Sequence, residues 1–537
     1  MAIFEIKSFR GGISDYSDKG ISGSFKMGKN LDIRKTDDTL SSGQALIDEG
    51  LFASQSPSAS VSPSSSSSRS ISPSPSSSAS KTPSMSPSAT PSSSPSTTPS
   101  SSVSLSASLS VSSSVSPSPS PSGGATSVFK DLILWFVEAS DGYIYGFGDT
   151  GYIYRRDSSG FWMQVYKDSG GKIRGASEKP SSSRKKYLVW ATETTIKKKE
   201  IPGSSSWNDV SVVDTNLDST DWHTMRQING ALYIANGDRL ALFGYDDSYT
   251  NEALDLIPGN IAKTIVERNG TAIIGTYRAS DPNKGINASI DVEVPLSQIG
   301  DDGEIFFANM TDSIAVKRFP GGGKVNPGGI ASSIKEINFF QWEDTALNWI
   351  DKQSIGNIAL FGVYNATSGY NGIYSYGRKN KNMPFVLNMD YEMDVDEIGA
   401  VIVNNGTVIA SYKDGSDYGV LATDQNNKAE GIYEGLELKA PLKKPVKIIP
   451  WTMAEIQMKP LPHGSYVQFW YKVNKNGSFV QATSIDDLTN YNTTSSQKAV
   501  FRIGAEGEIF EPRIVIHPYG NDTPEIYSLR ILFEDER

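Results

Sequence analysis

From Ser54 to Ser122 every even-numbered position of the chain is Ser or Thr, without a break. The odd positions carry Pro, Ala, Val, Leu and further Ser, with Arg69 and Lys81 as the only charges and no aromatic residue. A two-residue period places the hydroxyls on one side of an extended chain, and the prolines remove backbone donors and hold φ near the polyproline value. Such a stretch cannot form a packed core. It sets a short head, 1–52, apart from a long aromatic-rich body that begins near Val128.

The tract itself has three readings. A linker would reach between about 45 Å as a coil and somewhat over 200 Å as polyproline. An ordered extended spike would use Val103, Leu105, Ala107, Leu109, Val111 and Val115 as a strand-like face. A glycosylated stalk is permitted by the hydroxyls.

The remaining sequence holds two to four domains. The formal charge of −10 is spread through the body rather than gathered in blocks, which leaves no nucleic-acid footprint. With no cysteine, disulfide frameworks and thiolate metal sites are excluded. The N-terminus lacks a basic region followed by an apolar run, so no signal peptide is expected. No run approaches the roughly 18 apolar residues of a membrane span. The expectation is a protein made in the cytoplasm. An exposed Ser/Thr/Pro arm without an export signal is reconciled by a virion component, built inside a cell and released by lysis.

From Val128 the texture becomes short strands with aromatic ends and glycine turns. Leu132 to Val137, the turn Asp141-Gly142, Tyr143 to Gly148, Asp149-Thr150-Gly151 and Tyr152 to Tyr154 make the first such series. This is the hairpin chemistry of an antiparallel meander. It returns around Tyr187 to Thr192, Asn229 to Phe243, Arg268 to Tyr277, Asn357 to Tyr376 and Asn404 to Tyr412. A spacing of roughly 40–50 residues is that of four-stranded propeller blades. The spacing predicts an all-β chain: a β-propeller of six or seven blades over 125–437, with packed sandwiches as the competing arrangement. Beyond the hinge-like Pro441 to Pro450, alternation through Tyr466 to Val473, Pro512 to Pro518 and Ile526 to Glu534 predicts a C-terminal β-sandwich over 438–537.

The head reads Phe9-Arg10-Gly11-Gly12-Ile13, then Asn30-Leu31-Asp32-Ile33-Arg34, then Leu40 and Gly43. Some fifty residues of this kind cannot bury a core alone and must dock on something. That order resembles the opening of tailed-phage nozzle or tail-hub structural proteins with a propeller body. The ending Pro524-Glu525-Ile526-Tyr527-Ser528-Leu529-Arg530-Ile531-Leu532-Phe533 resembles the closing strand of phage tail-hub sandwiches. The resemblance implies a homo-oligomer ring, six-fold, joined to other tail or portal proteins, through which DNA passes without specific binding. No enzyme activity and no cofactor are expected. The competing reading is an adhesin whose propeller binds a glycan or receptor at the end of a Ser/Pro stalk.

No catalytic constellation stands out. The acidic groups Asp301-Asp302, Asp390 with Glu392, and Asp394 with Asp396 and Glu397 lack a complete calcium loop and read as solvated carboxylates. The boxes and arginine cluster of a sialidase are absent, and Gly321-Gly322-Gly323-Lys324 lacks the Walker pattern and reads as a mobile loop. His223, His463 and His517 have no second ligand at metal spacing. Eight Asn-x-Ser/Thr sequons, Asn269 and Asn405 among them, read as chance. Tyr143, Tyr145, Tyr152, Tyr154 and Trp162 could form a sugar-stacking platform, although alternating aromatics in strands more often pack blade against blade.

Overall fold

The computed structural model describes residues 2–9, 11, 13, 24–33, 39–52, 129–203, 207–220, 222–256, 258–268, 271–278, 324–332, 357–364, 370–378, 386–439, 448–474 and 477–534. The Ser/Thr/Pro tract, Asp301-Asp302, Gly321 to Gly323 and Asn269 fall outside them. Among the described residues every regular element is a strand.

The head contributes β1 (Ala2–Ile6), β2 (Phe25–Lys29), β3 (Leu31–Asp32), β4 (Ser41–Ser42), β5 (Gln44–Asp48) and β6 (Leu51–Phe52). A first blade follows as β7 (Ile133–Glu138), β8 (Ile144–Gly148), β9 (Tyr152–Arg156) and β10 (Trp162–Lys167). The second is β11 (Gly175–Pro180), β12 (Lys186–Ala191), β13 (Ile196–Ile201) and β14 (Ser211–Asp214). The third is β15 (Met225–Ile228), β16 (Ala231–Asn236), β17 (Arg239–Phe243) and β18 (Tyr249–Asp255). Of a fourth, β19 (Asn260–Arg268) and β20 (Thr271–Arg278) are described. A fifth comprises β21 (Lys324–Ser332), β22 (Asn357–Tyr364), β23 (Gly372–Arg378) and β24 (Val386–Glu392), and a sixth β25 (Glu397–Asn404), β26 (Thr407–Asp414) and β27 (Asp417–Lys428).

Each unit is an antiparallel meander, and their first strands follow one another in space as β7, β11, β15 and β19, then β21, β25 and back to β7. The protein is a β-propeller, with six radial sheets among the described residues. Apolar layers lie between successive sheets. Trp135, Phe147 and Tyr145 meet Leu188 and Trp190 between the first and second blades. Val189 and Ile196 meet Leu232 and Ile234 between the second and third. Leu360 and Ile373 meet Ile398 and Val401 between the fifth and sixth.

The turns are those the sequence asks for. Asn229-Gly230 and Asn405-Gly406 both hold two consecutive positive φ angles, 50° and 85° in the first and 49° and 79° in the second. This is the type I′ hairpin, in which Gly removes the steric penalty at its position.

The C-terminal module contains β28 (Gly431–Gly435), β29 (Leu438–Lys439), β30 (Ile449–Met458), β31 (Tyr466–Val473), β32 (Val480–Gln481), β33 (Thr483–Ser484), β34 (Lys498–Gly507), β35 (Ile509–His517) and β36 (Ile526–Phe533). One sheet runs β1-β36-β30-β34-β33, and the other carries β28, β35, β31 and β32. Trp451, Phe469, Phe501, Phe510 and Phe533 fill the space between them. β28 pairs with β35 and with β2, and the head adds β1 to the other sheet.

The head docks on its own chain at four places. β1 pairs antiparallel with β36, β2 lies between β24 and β28, β5 adds to β27, and β6 adds parallel to β10. Phe9, Phe25, Leu31, Ile33 and Leu40 are all buried in the sandwich core. At roughly 1.5–3 kcal/mol for each such side chain, about 8–15 kcal/mol of burial is contributed by the head, an upper figure because a real unfolded chain is already partly collapsed.

Candidate functional site

Two features of the described residues organise the fold: the seam that closes the propeller and the joint between propeller and sandwich. The seam lies between the sixth and first blades. Ser411 accepts a hydrogen bond from the Ala400 amide (2.9 Å) and donates one across the seam to the Ile133 carbonyl (2.6 Å). A Cβ at Gly399 would fall inside van der Waals contact of that same carbonyl, so the close approach requires glycine. Phe129, Ile133, Tyr154 and Trp162 of the first blade pack with Ala400, Ile409, Val420 and Ala422 of the sixth.

The head spans this seam from outside. β5 supplies the fourth strand of the sixth blade, with Ala422 opposite Ile47 and Thr423 opposite Leu46. Two residues on, β6 reaches the first blade, with Leu51 opposite Trp162. Glu49, between them, is bound on three sides. Its Oε2 accepts from the Trp162 indole N–H (2.7 Å) and from Arg156 Nε (2.7 Å), while Arg156 Nη2 pairs with Oε1. The glutamate side chain is 9% exposed and the arginine 13%. A bidentate pair of this kind fixes direction as well as charge. The Tyr412 hydroxyl donates to Asp48 Oδ1 (2.9 Å) from the sixth-blade side.

The joint is built on β2. It pairs parallel with β24 of the fifth blade at Lys29 and Met389, and antiparallel with β28 of the sandwich from Phe25 to Lys29. Hydrogen-bonded strands thus run without interruption from the fifth blade into the sandwich. Lys29 pairs with Glu392, Asn30 Oδ1 accepts from the Glu392 amide (2.7 Å), and Asn388 donates to the Leu31 carbonyl (2.8 Å). Glu511 accepts from Lys26 (2.9 Å) and pairs with Lys472 (3.1 Å). Burial would raise the Glu511 carboxyl, but the two lysines outweigh it and hold its pKa below the usual range.

The residues singled out from the sequence are drawn into this framework. Asp390 accepts from Ser375 (2.8 Å) and Asn388 (2.6 Å), and Glu392 serves the joint. Asp396 caps the Gly415 amide (2.9 Å), and Glu397 accepts from Asn326 (3.0 Å). No group of described residues could hold a metal ion. Trp162, Tyr145 and Tyr154 are buried, and Lys167 lies 4.0 Å from the centre of the Tyr152 ring. The five aromatics pack within and between blades and do not form an open platform.

His223 is fully buried, its ring nitrogens 2.8 Å from the Ala235 carbonyl and 2.9 Å from the Glu193 carbonyl. Burial lowers its pKa, and the two carbonyls only partly oppose this. Its own carbonyl lies where a Cβ on Gly175 would stand. His463 makes an edge contact with Tyr519. His517 stacks on Tyr466 at 4.0 Å and faces Glu430 at 2.9 Å. The three histidines lie in separate places.

Other buried charges are likewise used internally. Asp168 accepts from the Trp190 indole (2.7 Å), Lys197 (2.7 Å) and the Gly170 amide (2.7 Å). Lys179 binds Asp247 (2.7 Å) with its ammonium 4.2 Å from the centre of the Phe243 ring. Glu49, Ser411, Gly175 and Gly399 carried no signal in the sequence, since each acts on a partner far away along the chain.

No protein-family profile matches the chain, and no curated protein matches it. Solved structures similar to part of it include a streptogramin B lyase, 11% identical, covering 55% of this chain and 95% of that one with a TM-score of 0.31. A luciferin-regenerating enzyme is 10% identical over 56% of this chain and 94% of its own, with a TM-score of 0.32. A glycoside hydrolase is 9% identical over 75% of this chain and 98% of its own, with a TM-score of 0.26. Nothing below rests on these faint likenesses.

Proposed function

We propose that the chain is a virion structural protein of a tailed phage, a nozzle or tail-hub component that assembles as a closed ring, six-fold, around a passage for DNA. Its work is mechanical. The net charge of −10 disfavours adhesion of the DNA backbone, so DNA slides rather than binds. The ring and sandwich of each copy are joined through β2, which suits a part that carries load.

The observation that carries this reading concerns the flanks of the Ser/Thr/Pro tract. Leu51 pairs with Trp162, and Phe129 packs on Trp162 with ring centroids 6.2 Å apart. Both flanks therefore lie on the first blade. A stalk must separate two bodies, whereas a segment that leaves and rejoins one blade is an excursion from it. Its outward reach is limited to half its contour, at most about 120 Å at polyproline spacing. This favours an arm on a structural ring over a head carried on a stalk.

Light scattering on the purified full chain tests the proposal. A discrete mass near six copies is expected. A monomer at all concentrations, together with binding on a glycan array, would replace it with the adhesin reading.

A further inference from the structure

We infer that Asn405 is a site of spontaneous deamidation, and that its conversion to aspartate or isoaspartate loosens the innermost hairpin of the sixth blade. Six Asn-Gly pairs occur in the chain, with Asn at positions 229, 236, 269, 371, 405 and 476. Positions 269 and 476 fall outside the described residues. In such a pair the glycine nitrogen can close on the asparagine side chain, because no Cβ on the second residue obstructs the approach. The step balances with water as the only co-reactant. The Gly406 amide nitrogen gives up its proton and attacks Asn405 Cγ. The N–Cγ bond forms, the bond from Cγ to the side-chain nitrogen breaks, and ammonia leaves with the proton. Water then opens the five-membered imide at either carbonyl, which yields aspartate or isoaspartate.

The attacking residue is glycine at every pair, so the fold decides which pair reacts first. Closure needs the nitrogen within about 3–3.5 Å of Cγ, and a side chain held elsewhere must first let go. Asn236 is fully buried, its Oδ1 accepting from the Asp218 amide (2.7 Å) and its Nδ2 donating to Asn251 (3.0 Å). Asn371 donates to the Val395 carbonyl (3.0 Å), and its own carbonyl accepts from the Met393 amide (3.0 Å). Beside Asn229 the Tyr245 ring covers the glycine, 2.9 Å from where a Cβ on Gly230 would stand. Asn405 is exposed at its two-residue turn, its side chain donates to the neighbouring Asn404 at 3.3 Å, and a Cβ on Gly406 would have nothing within 4 Å. The two hydrogen bonds at Asn236 lower its reactive population about 30-fold relative to Asn405, the equivalent of about 2 kcal/mol. Asn404 and Thr407 close the β25–β26 ladder, and the same two strands carry Gly399, Ala400 and Ser411 at the seam. Isoaspartate places one extra carbon in the backbone of this turn, so the pairs Asn404–Thr407 and Val403–Val408 cannot keep register with the rest.

To test this, the full chain is incubated at pH 8 and 37 °C, sampled over weeks and digested, and each described Asn-Gly peptide is followed by mass spectrometry for the change from amide to acid. Asn405 is expected to convert first, about 30-fold faster than Asn236. The same chain unfolded in urea is expected to convert all four at similar rates. Conversion slows at pH 6, since the attacking nitrogen must lose its proton. Hydrogen exchange in 401–411 quickens in the aged parent and stays constant in aged Asn405→Gly, whose Gly-Gly turn keeps the hairpin but has no side-chain amide to react. Retention of the Asn405 amide while Asn236 or Asn371 converts overturns the inference, as does a lead for Asn405 that persists in urea. Conversion at Asn405 without faster exchange in 401–411 overturns the loosening of the hairpin. None of these outcomes depends on whether copies of the chain form a ring, so the proposed function stands or falls separately.

Discussion

Replacing Glu49 with Ala removes the carboxylate that bridges the head to the first blade at Arg156 and Trp162. The guanidinium is left without its partner and the indole N–H without an acceptor. Breaking a buried ion pair costs about 3–5 kcal/mol, and the lower figure applies here because Arg156 retains 13% exposure and can reach water. A loss of about 3 kcal/mol in local opening free energy is a factor of roughly 150. A chain with several modules has no single unfolding free energy, so the measurement is hydrogen exchange followed by mass spectrometry. Amides in 44–52 and 152–167 are expected to exchange about 150-fold faster in Glu49→Ala, with strands β15 to β18 unchanged. Glu49→Gln keeps an acceptor for the indole and gives roughly a tenfold effect. Exchange within threefold of the parent in Glu49→Ala would refute the view that this glutamate holds the head on the first blade.

Other consequences are as direct. Gly175→Ala drives a methyl into the His223 carbonyl and is expected to lower the thermal midpoint by several degrees, while Gly50→Ala, which has nothing within 4 Å, leaves it unchanged. Excising residues 55–126 and bridging the ends with about eight Gly/Ser residues shortens a loop anchored at both ends on one blade. Loop-closure entropy then adds up to about 2 kcal/mol of stability, and a lower thermal midpoint would show that the flanks are not neighbours. Acid should destabilise through two groups. His223 has a folded pKa below its unfolded value of 6.5, so the unfolded chain binds the proton first and stability falls as the pH drops below about 6.5. Glu511 has a depressed folded pKa, so its stabilisation is present above 4.5 and is lost as the pH falls through the folded value. His223→Gln is expected to flatten the upper limb and Glu511→Gln the lower one in thermal midpoints measured from pH 8 to pH 3.

How far the fold can be read from the sequence depends on how local the cause is. The Asn-Gly turns at 229–230 and 405–406 and the strand alternation around Tyr143 to Tyr154 are short-range effects, and they appear where expected. The docking of the head also follows from its size, because fifty residues cannot bury Phe9, Phe25 and Leu31 alone. Where it docks does not follow. β5 finds β27 across more than 370 residues, and Glu49 finds Arg156 across 107, and neither pairing has a local signature. The same holds for Gly175 and Gly399, whose necessity is set by carbonyls of a neighbouring blade. The buried carboxylates Asp168 and Glu511 could not be told from surface ones because their partners, Trp190 and Lys26, are distant.

The measurement that bears most directly on the proposed role is electron microscopy of the purified full chain, with class averages viewed down the symmetry axis. Closed rings of six copies with an open lumen are expected, each copy showing a propeller joined to its sandwich. Single isolated propellers at every concentration would contradict the ring and with it the assignment to a phage tail.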